Sequence, residues 1–373
     1  MNGSIRVGNL FGIPFYINSS WFIILGLMTL SYGGSLAVQF PELGLGLPWL
    51  LGLAAALLLF ASVLAHELGH SFVAIRQGIN VKSITLFLFG GLASLDKEAK
   101  TPGNAFWIAI AGPAVSLVLF GLFSAIASSS IVSGPLGAVV GLLAYINLAL
   151  ALFNLIPGLP LDGGNVLKSL VWKITGNQYK GVVFASRVGQ GFGWLAIIYG
   201  LLPVLISGSF PNFWTILVGW FLLQNAGALA QDARLRDRLS EYTAEDAIIP
   251  ESPVISEHLS LRELANEYII GKPQTRRFFV TGEGGQLIGE LRVDDMKGVP
   301  TSQWSSVSVK ELVKPVEFET TVDAERSLLD VVMLFEENKL DELPVFRNGT
   351  LVGLIQKASI RNLLQQKMLT RPA

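Results

Sequence analysis

Six transmembrane helices joined to a soluble α+β domain is the fold class the sequence predicts. Composition, an uneven spread of charge and six long apolar runs predict it. Hydrophobic residues make up 51% of the 373-residue chain and charged residues only 15%, where a soluble protein carries about 25% charge. Mean hydropathy is +0.52. Residues 1–231 hold nine Lys/Arg and five Asp/Glu, and residues 232–373 hold the other 18 and 23. The first part has the composition of a chain dissolved in lipid, the second that of an ordinary soluble domain. The implied organisation is a membrane domain over 1–231, a charged, helical linker over 232–242 and a soluble domain over 243–366. A net charge of -1 gives no basic surface for nucleic acid. The absence of cysteine excludes disulfides and thiolate metal sites. The N-terminus does not read as a cleavable signal, because Arg6 is its one basic residue and about 18 mixed residues precede the first apolar run.

About 20 apolar residues cross a bilayer as a helix. Runs of that kind lie near 20–38, 48–74, 105–128, 136–158, 189–207 and 213–231. Gly and Ser interrupt several of them, as membrane helices allow at packing faces. The linkers near 39–47, 129–135 and 208–212 contain no Lys or Arg, whereas Arg6, Arg76, Lys82, Lys97, Lys100 and the basic residues from Lys168 to Arg187 fall on the opposite side. By the positive-inside rule that side is cytoplasmic. Both termini and the soluble domain are then expected in the cytoplasm, on an integral protein of a prokaryotic plasma membrane.

An ionisable group inside a span is costly and marks function by default. The second run contains three together, His66, Glu67 and His70. Residues four apart share one helix face, so both imidazoles can reach one ion. Glu67 follows the first of them and can polarise a metal-bound water, which is the HExxH zinc arrangement. The pattern also occurs by chance in soluble helices. Here it uses two of only three histidines in the chain, and without a metal the cluster would be an uncompensated desolvation. A catalytic zinc keeps three protein ligands and one open position. Glu42, Asp96, Glu98 and Asp162 are the candidates for the third ligand in the membrane half. Glu42 lies in an outer linker, and Asp96 and Glu98 sit in a charged run that reads as a solvated, self-paired loop. Asp162 stands alone after Pro157 and Pro160, at a depth similar to His66. Its alternative role is an N-cap for the helical segment that carries Lys168.

These residues resemble the site-2 protease family of intramembrane zinc metalloproteases. The HExxH motif on the second span and the segment from Asn154 through Pro157 to Asp162-Gly163 carry the likeness, which spans about 1–231 and includes Gly12-Ile-Pro14, Ser20-Trp21 and Phe89-Gly90-Gly91. The resemblance implies one zinc per chain, held by His66, His70 and Asp162, with Glu67 as general base. It implies that Asn154 holds substrate or the oxyanion. It implies a short membrane-associated β segment near Gly90 to Leu95 that pairs with an unwound substrate strand; a plain turn is the alternative for Gly90 and Gly91. Substrates would be transmembrane proteins in the lipid bilayer, cut by regulated intramembrane proteolysis. Ser116 departs from the family pattern, where Asn is common, a change that touches packing more than chemistry.

The soluble part repeats itself. Gly285–Gly289 matches Gly349–Gly353, Phe278–Val280 parallels Leu343–Val345, and Ser260 and Ser327 stand at two helix starts as plausible N-caps. It resembles a tandem CBS pair, with repeats near 243–299 and 308–366. Such pairs often bind adenosine nucleotides. The positions that matter are Arg292 and Asp295 in the first repeat but Gln356 and Ser359 in the second, so half the pattern is missing. A structural module, or one that makes a homodimer, is the alternative. For the whole chain the competing readings are a CBS-regulated transporter and a non-proteolytic scaffold.

Overall fold

The computed structural model describes residues 4–88, 90–129, 131–249, 254–270, 277–315 and 321–370. Phe89, part of one motif above, lies outside them. The chain divides into two compact units, Met1–Arg234 and Leu235–Ala373.

The first unit contains α1 (Ser20–Gln39), α2 (Leu47–Arg76), α3 (Pro102–Ser128), α4 (Gly134–Asn154), α5 (Asp162–Thr175), α6 (Gln178–Ser207) and most of α7 (Phe213–Ser240), whose last turns fall in the second unit. All but α5 are long and apolar enough to cross a membrane, six in total. Large apolar side chains such as Leu30, Leu50, Val118 and Leu195 are exposed, while Ala55, Ala109, Ala144, Ala151 and Ala185 are buried between helices. That inversion suits a bundle solvated by lipid, where small residues let backbones approach.

Three boundaries differ from expectation. Helix α4 stops at Asn154 rather than near 158, because Pro157 and Pro160 have no N–H to donate and disfavour helix in the residues before them. Helix α6 starts at Gln178 rather than 189. Asn177 caps it by accepting from the N–H groups of Tyr179 and Lys180, and Lys180 and Arg187 hid these first turns from an apolar-run reading. Helix α7 continues through the charged linker as far as Ser240.

A four-stranded sheet accompanies the bundle: β1 (Ser4–Leu10), β2 (Ile13–Asn18), β3 (Val81–Phe87) and β4 (Gly90–Leu95), in that order. Strands β2 and β3 are parallel, and β3 and β4 are antiparallel, with Phe87 opposite Gly90. The expected β segment is thus β4, an edge strand of a larger sheet. The opening stretch, whose mixed residues and Gly12-Ile-Pro14 carry no strand signal in the sequence, forms its first hairpin.

The second unit contains two three-stranded sheets, β5 (Val254–Ser256), β6 (Arg277–Thr281) and β7 (Leu287–Arg292), then β8 (Val322–Asp323), β9 (Glu342–Arg347) and β10 (Thr350–Gln356). In each, the first strand is parallel and the last antiparallel to the middle one. Ser260 caps a one-turn helix, α8 (Leu261–Leu264), and Ser327 caps α9 (Leu328–Asn338). The last helix is α10 (Lys357–Thr370). The lead-in segments are exchanged. Ala244 and Ala247 pack in the core of the second repeat, and Val309 packs in the core of the first. Reading the repeats in chain order cannot show such an exchange.

Candidate active site

Helix α2 carries His66, Glu67 and His70 on its C-terminal half, and α5 opens on Asp162. Three atoms converge. Nε2 of His66 lies 3.0 Å from Oδ2 of Asp162, Nε2 of His70 lies 3.2 Å from the same oxygen, and the two nitrogens are 3.3 Å apart. Among the described residues this is the one group of His and acidic side chains arranged to hold a metal ion. Asp162 is not the N-cap of α5; Leu161 occupies that position and the carboxylate turns to the imidazoles.

The remaining ring nitrogens are also engaged. Nδ1 of His70 is 2.6 Å from the Ile108 carbonyl, and Nδ1 of His66 is 2.9 Å from Oγ of Ser116. A carbonyl can only accept, so His70 donates from Nδ1, which leaves Nε2 as the atom it can offer to a metal. With Nε2 of each ring deprotonated, these three atoms would offer their lone pairs to a single cation. Their separations approach the roughly 3.4 Å edge of a tetrahedron with ligands about 2.1 Å from its centre. The donor set therefore fits a zinc ion.

Glycine shapes the site from two directions. A Cβ on Gly112 of α3 would collide with Nε2 of both His66 and His70. A Cβ on Gly91 of β4 would collide with the Glu67 side chain, whose carboxylate is faced by the backbone N–H of Ala93. The unpaired edge of β4 thus opens on Glu67. Gly90, at φ +136, holds a backbone conformation closed to L side chains. A cavity of about 650 Å³ joins these parts, lined by the His and Glu side chains of α2, by β4, by Asn154 at the end of α4, and by the start of α5.

Sequence reasoning missed two features. Ser116 is fully buried and bonds a candidate ligand, so the expectation that it concerns packing is corrected. Its signal was a hydroxyl four residues after Gly112, on the same face of α3. Asp96 was expected to pair within its own charged loop; it accepts instead from the backbone and side chain of Asn80.

A polytopic α-helical membrane protein whose HExxH helix meets an aspartate from a second helix to form a His-His-Asp site is the class that fold and site define. The model of Peptidase family M50 matches residues 54–196, and that of the CBS domain matches residues 309–365. A Synechocystis protein named "Putative zinc metalloprotease sll0528" is 60% identical over 366 residues, 98% of this chain and 96% of that protein. "Putative zinc metalloprotease Rip3" of Mycobacterium tuberculosis is 30% identical over 382 residues, covering 100% and 95%. The solved site-2 protease from Methanocaldococcus jannaschii is similar at 30% identity and a TM-score of 0.44, covering 61% of this chain and 95% of its own. The chain belongs to the M50, or site-2 protease, family of zinc metalloproteases, and it is an integral membrane protein with a C-terminal CBS domain.

Proposed function

We propose that this protein hydrolyses peptide bonds in or near transmembrane segments of other membrane proteins, with His66, His70 and Asp162 as zinc ligands and Glu67 as general base. The observation that carries the reading is the convergence of the three ligand atoms beside Glu67 and an open strand edge. Zinc bound there supplies Lewis acidity to water and to the scissile carbonyl.

The residues of the chain divide the remaining work. A helical substrate shields its own peptide bonds, so it must unwind, and its freed backbone groups need partners. The edge of β4 offers them, by strand addition. Gly90 and Gly91 keep that edge close to Glu67. Glu67 takes a proton from the attacking water and later gives it to the leaving amine. Asn154 makes no side-chain hydrogen bond to a described residue, and its amide is free to donate to the carbonyl oxygen as negative charge develops there.

The bias of basic residues supports a cytoplasmic placement of both termini and of the CBS pair, in a prokaryotic plasma membrane. We assign the CBS pair a regulatory role in regulated intramembrane proteolysis, with a second copy of the chain as its partner in a homodimer. Asp295 is bound by Lys314 and by the Arg292 N–H, and Ser359 donates to the Ala247 carbonyl. An adenosine nucleotide would have to displace those partners. Titrating ATP or AMP into the full chain tests this: a thermal shift supports nucleotide control, and none supports a structural module.

The experiment for the main reading compares membrane-protein fragments in cells carrying wild type or Glu67→Gln. Fragments that appear with wild type alone support it. Identical fragments from both would remove Glu67 from the chemistry.

A further inference from the structure

Helix α5 brings more polar side chains to the cavity than metal binding uses. Asp162, Asn165 and Lys168 line it on successive turns. Lys168 is half-buried. Among the described residues it forms no hydrogen bond or ion pair, and Glu98, which lines the same cavity, is an opposite charge beyond contact distance. An ammonium held partly out of water with no anion in contact is costly. A lysine with no duty there could swing its long stem to the surface.

We propose that Lys168, with Asn165 beside it, is a specificity subsite that binds an Asp or Glu side chain of the substrate about three residues from the bond that is cut. The inference rests on the reading of this cavity as the peptide cleft. Six helical residues separate Asp162 from Lys168, about 9 Å along the axis. A substrate strand that runs alongside α5 advances about 3.3 Å per residue, so three residues cover that distance. The six residues of β4 are long enough to hold the strand over that reach. The ammonium then gains a carboxylate in direct contact, beyond the more distant Glu98. The amide of Asn165, one turn nearer the metal site, can hold the intervening backbone.

The test uses the purified full chain with zinc and a library of apolar-segment peptides, with cleavage positions read by mass spectrometry. Wild type is expected to favour Asp or Glu two to four residues from the cut, on one side of it, by about tenfold over Ala or Lys. Lys168→Met should lose that preference, and Lys168→Glu should turn it toward Lys or Arg. Reversal by charge exchange is not produced by damage to the fold. The same preference profile in wild type and Lys168→Glu, with both still cutting, overturns the subsite and leaves the protease reading intact. Cleavage by wild type no greater than by Glu67→Gln overturns both.

Discussion

Oγ of Ser116 lies 2.9 Å from Nδ1 of His66, at a position with no exposure to solvent. The contact fixes the rotation of the ring, and so the direction in which Nε2 points. Groups that hold a metal ligand from behind are worth about 10–100-fold in metal affinity. Ser116→Ala should weaken zinc binding by that order, measured by competition with a chelator. Ser116→Thr, which keeps the hydroxyl, should restore much of it. Equal affinities for wild type and Ser116→Ala would end the assignment.

Gly112 is where the smallest addition should do most harm. Its added methyl would occupy the space beside both Nε2 atoms. Gly112→Ala is expected to abolish stoichiometric zinc binding while the helices persist. Metal analysis and far-UV circular dichroism on the same sample check both halves; a full complement of zinc in this variant contradicts the site geometry.

Gly91→Ala should separate proton transfer from metal binding. The three atoms nearest its methyl all belong to Glu67. Zinc content should stay at one per chain, while kcat falls at least tenfold as Glu67 is displaced. A variant that cuts at the wild-type rate would show that Glu67 can move aside at no cost.

Arg277 joins the two CBS repeats. It ion-pairs with Glu290 and, at 2.6 Å, with Glu342, and it stacks on the Phe279 ring at 4.6 Å. Glu290 is buried, with Arg292 as its other cation. Arg277→Ala should destabilise the pair by about 1–3 kcal/mol, because it leaves a buried carboxylate half-compensated. Faster hydrogen exchange in β6, β7 and β9 of the full chain would show it; unchanged exchange would mean that Arg292 alone satisfies Glu290.

The membrane half was legible because lipid sets hard rules. A span must be long and apolar, so runs around α1 to α4, α6 and α7 stood out, and ionisable residues inside one of them marked the site. The early start of α6 was not legible, because its first turns are polar and leave no apolar signal. Nor was the sheet, since β1 and β2 gain their meaning from pairing with β3, far along the chain.

What the sequence by itself determined is the solvent of each half and the residue types of the metal site: two imidazoles one turn apart, a carboxylate between them and a second carboxylate after a proline turn. Spacing within one helix is enough for the first three. Tertiary structure alone decided that Asp162 reaches both rings, that Ser116 and Ile108 hold those rings from behind, and that the edge of β4 closes on Glu67. Those contacts join α2 to α3, α5 and β4 across long stretches of chain. Their geometry is fixed by how closely the helices pack, which a pattern of residues along one segment does not encode.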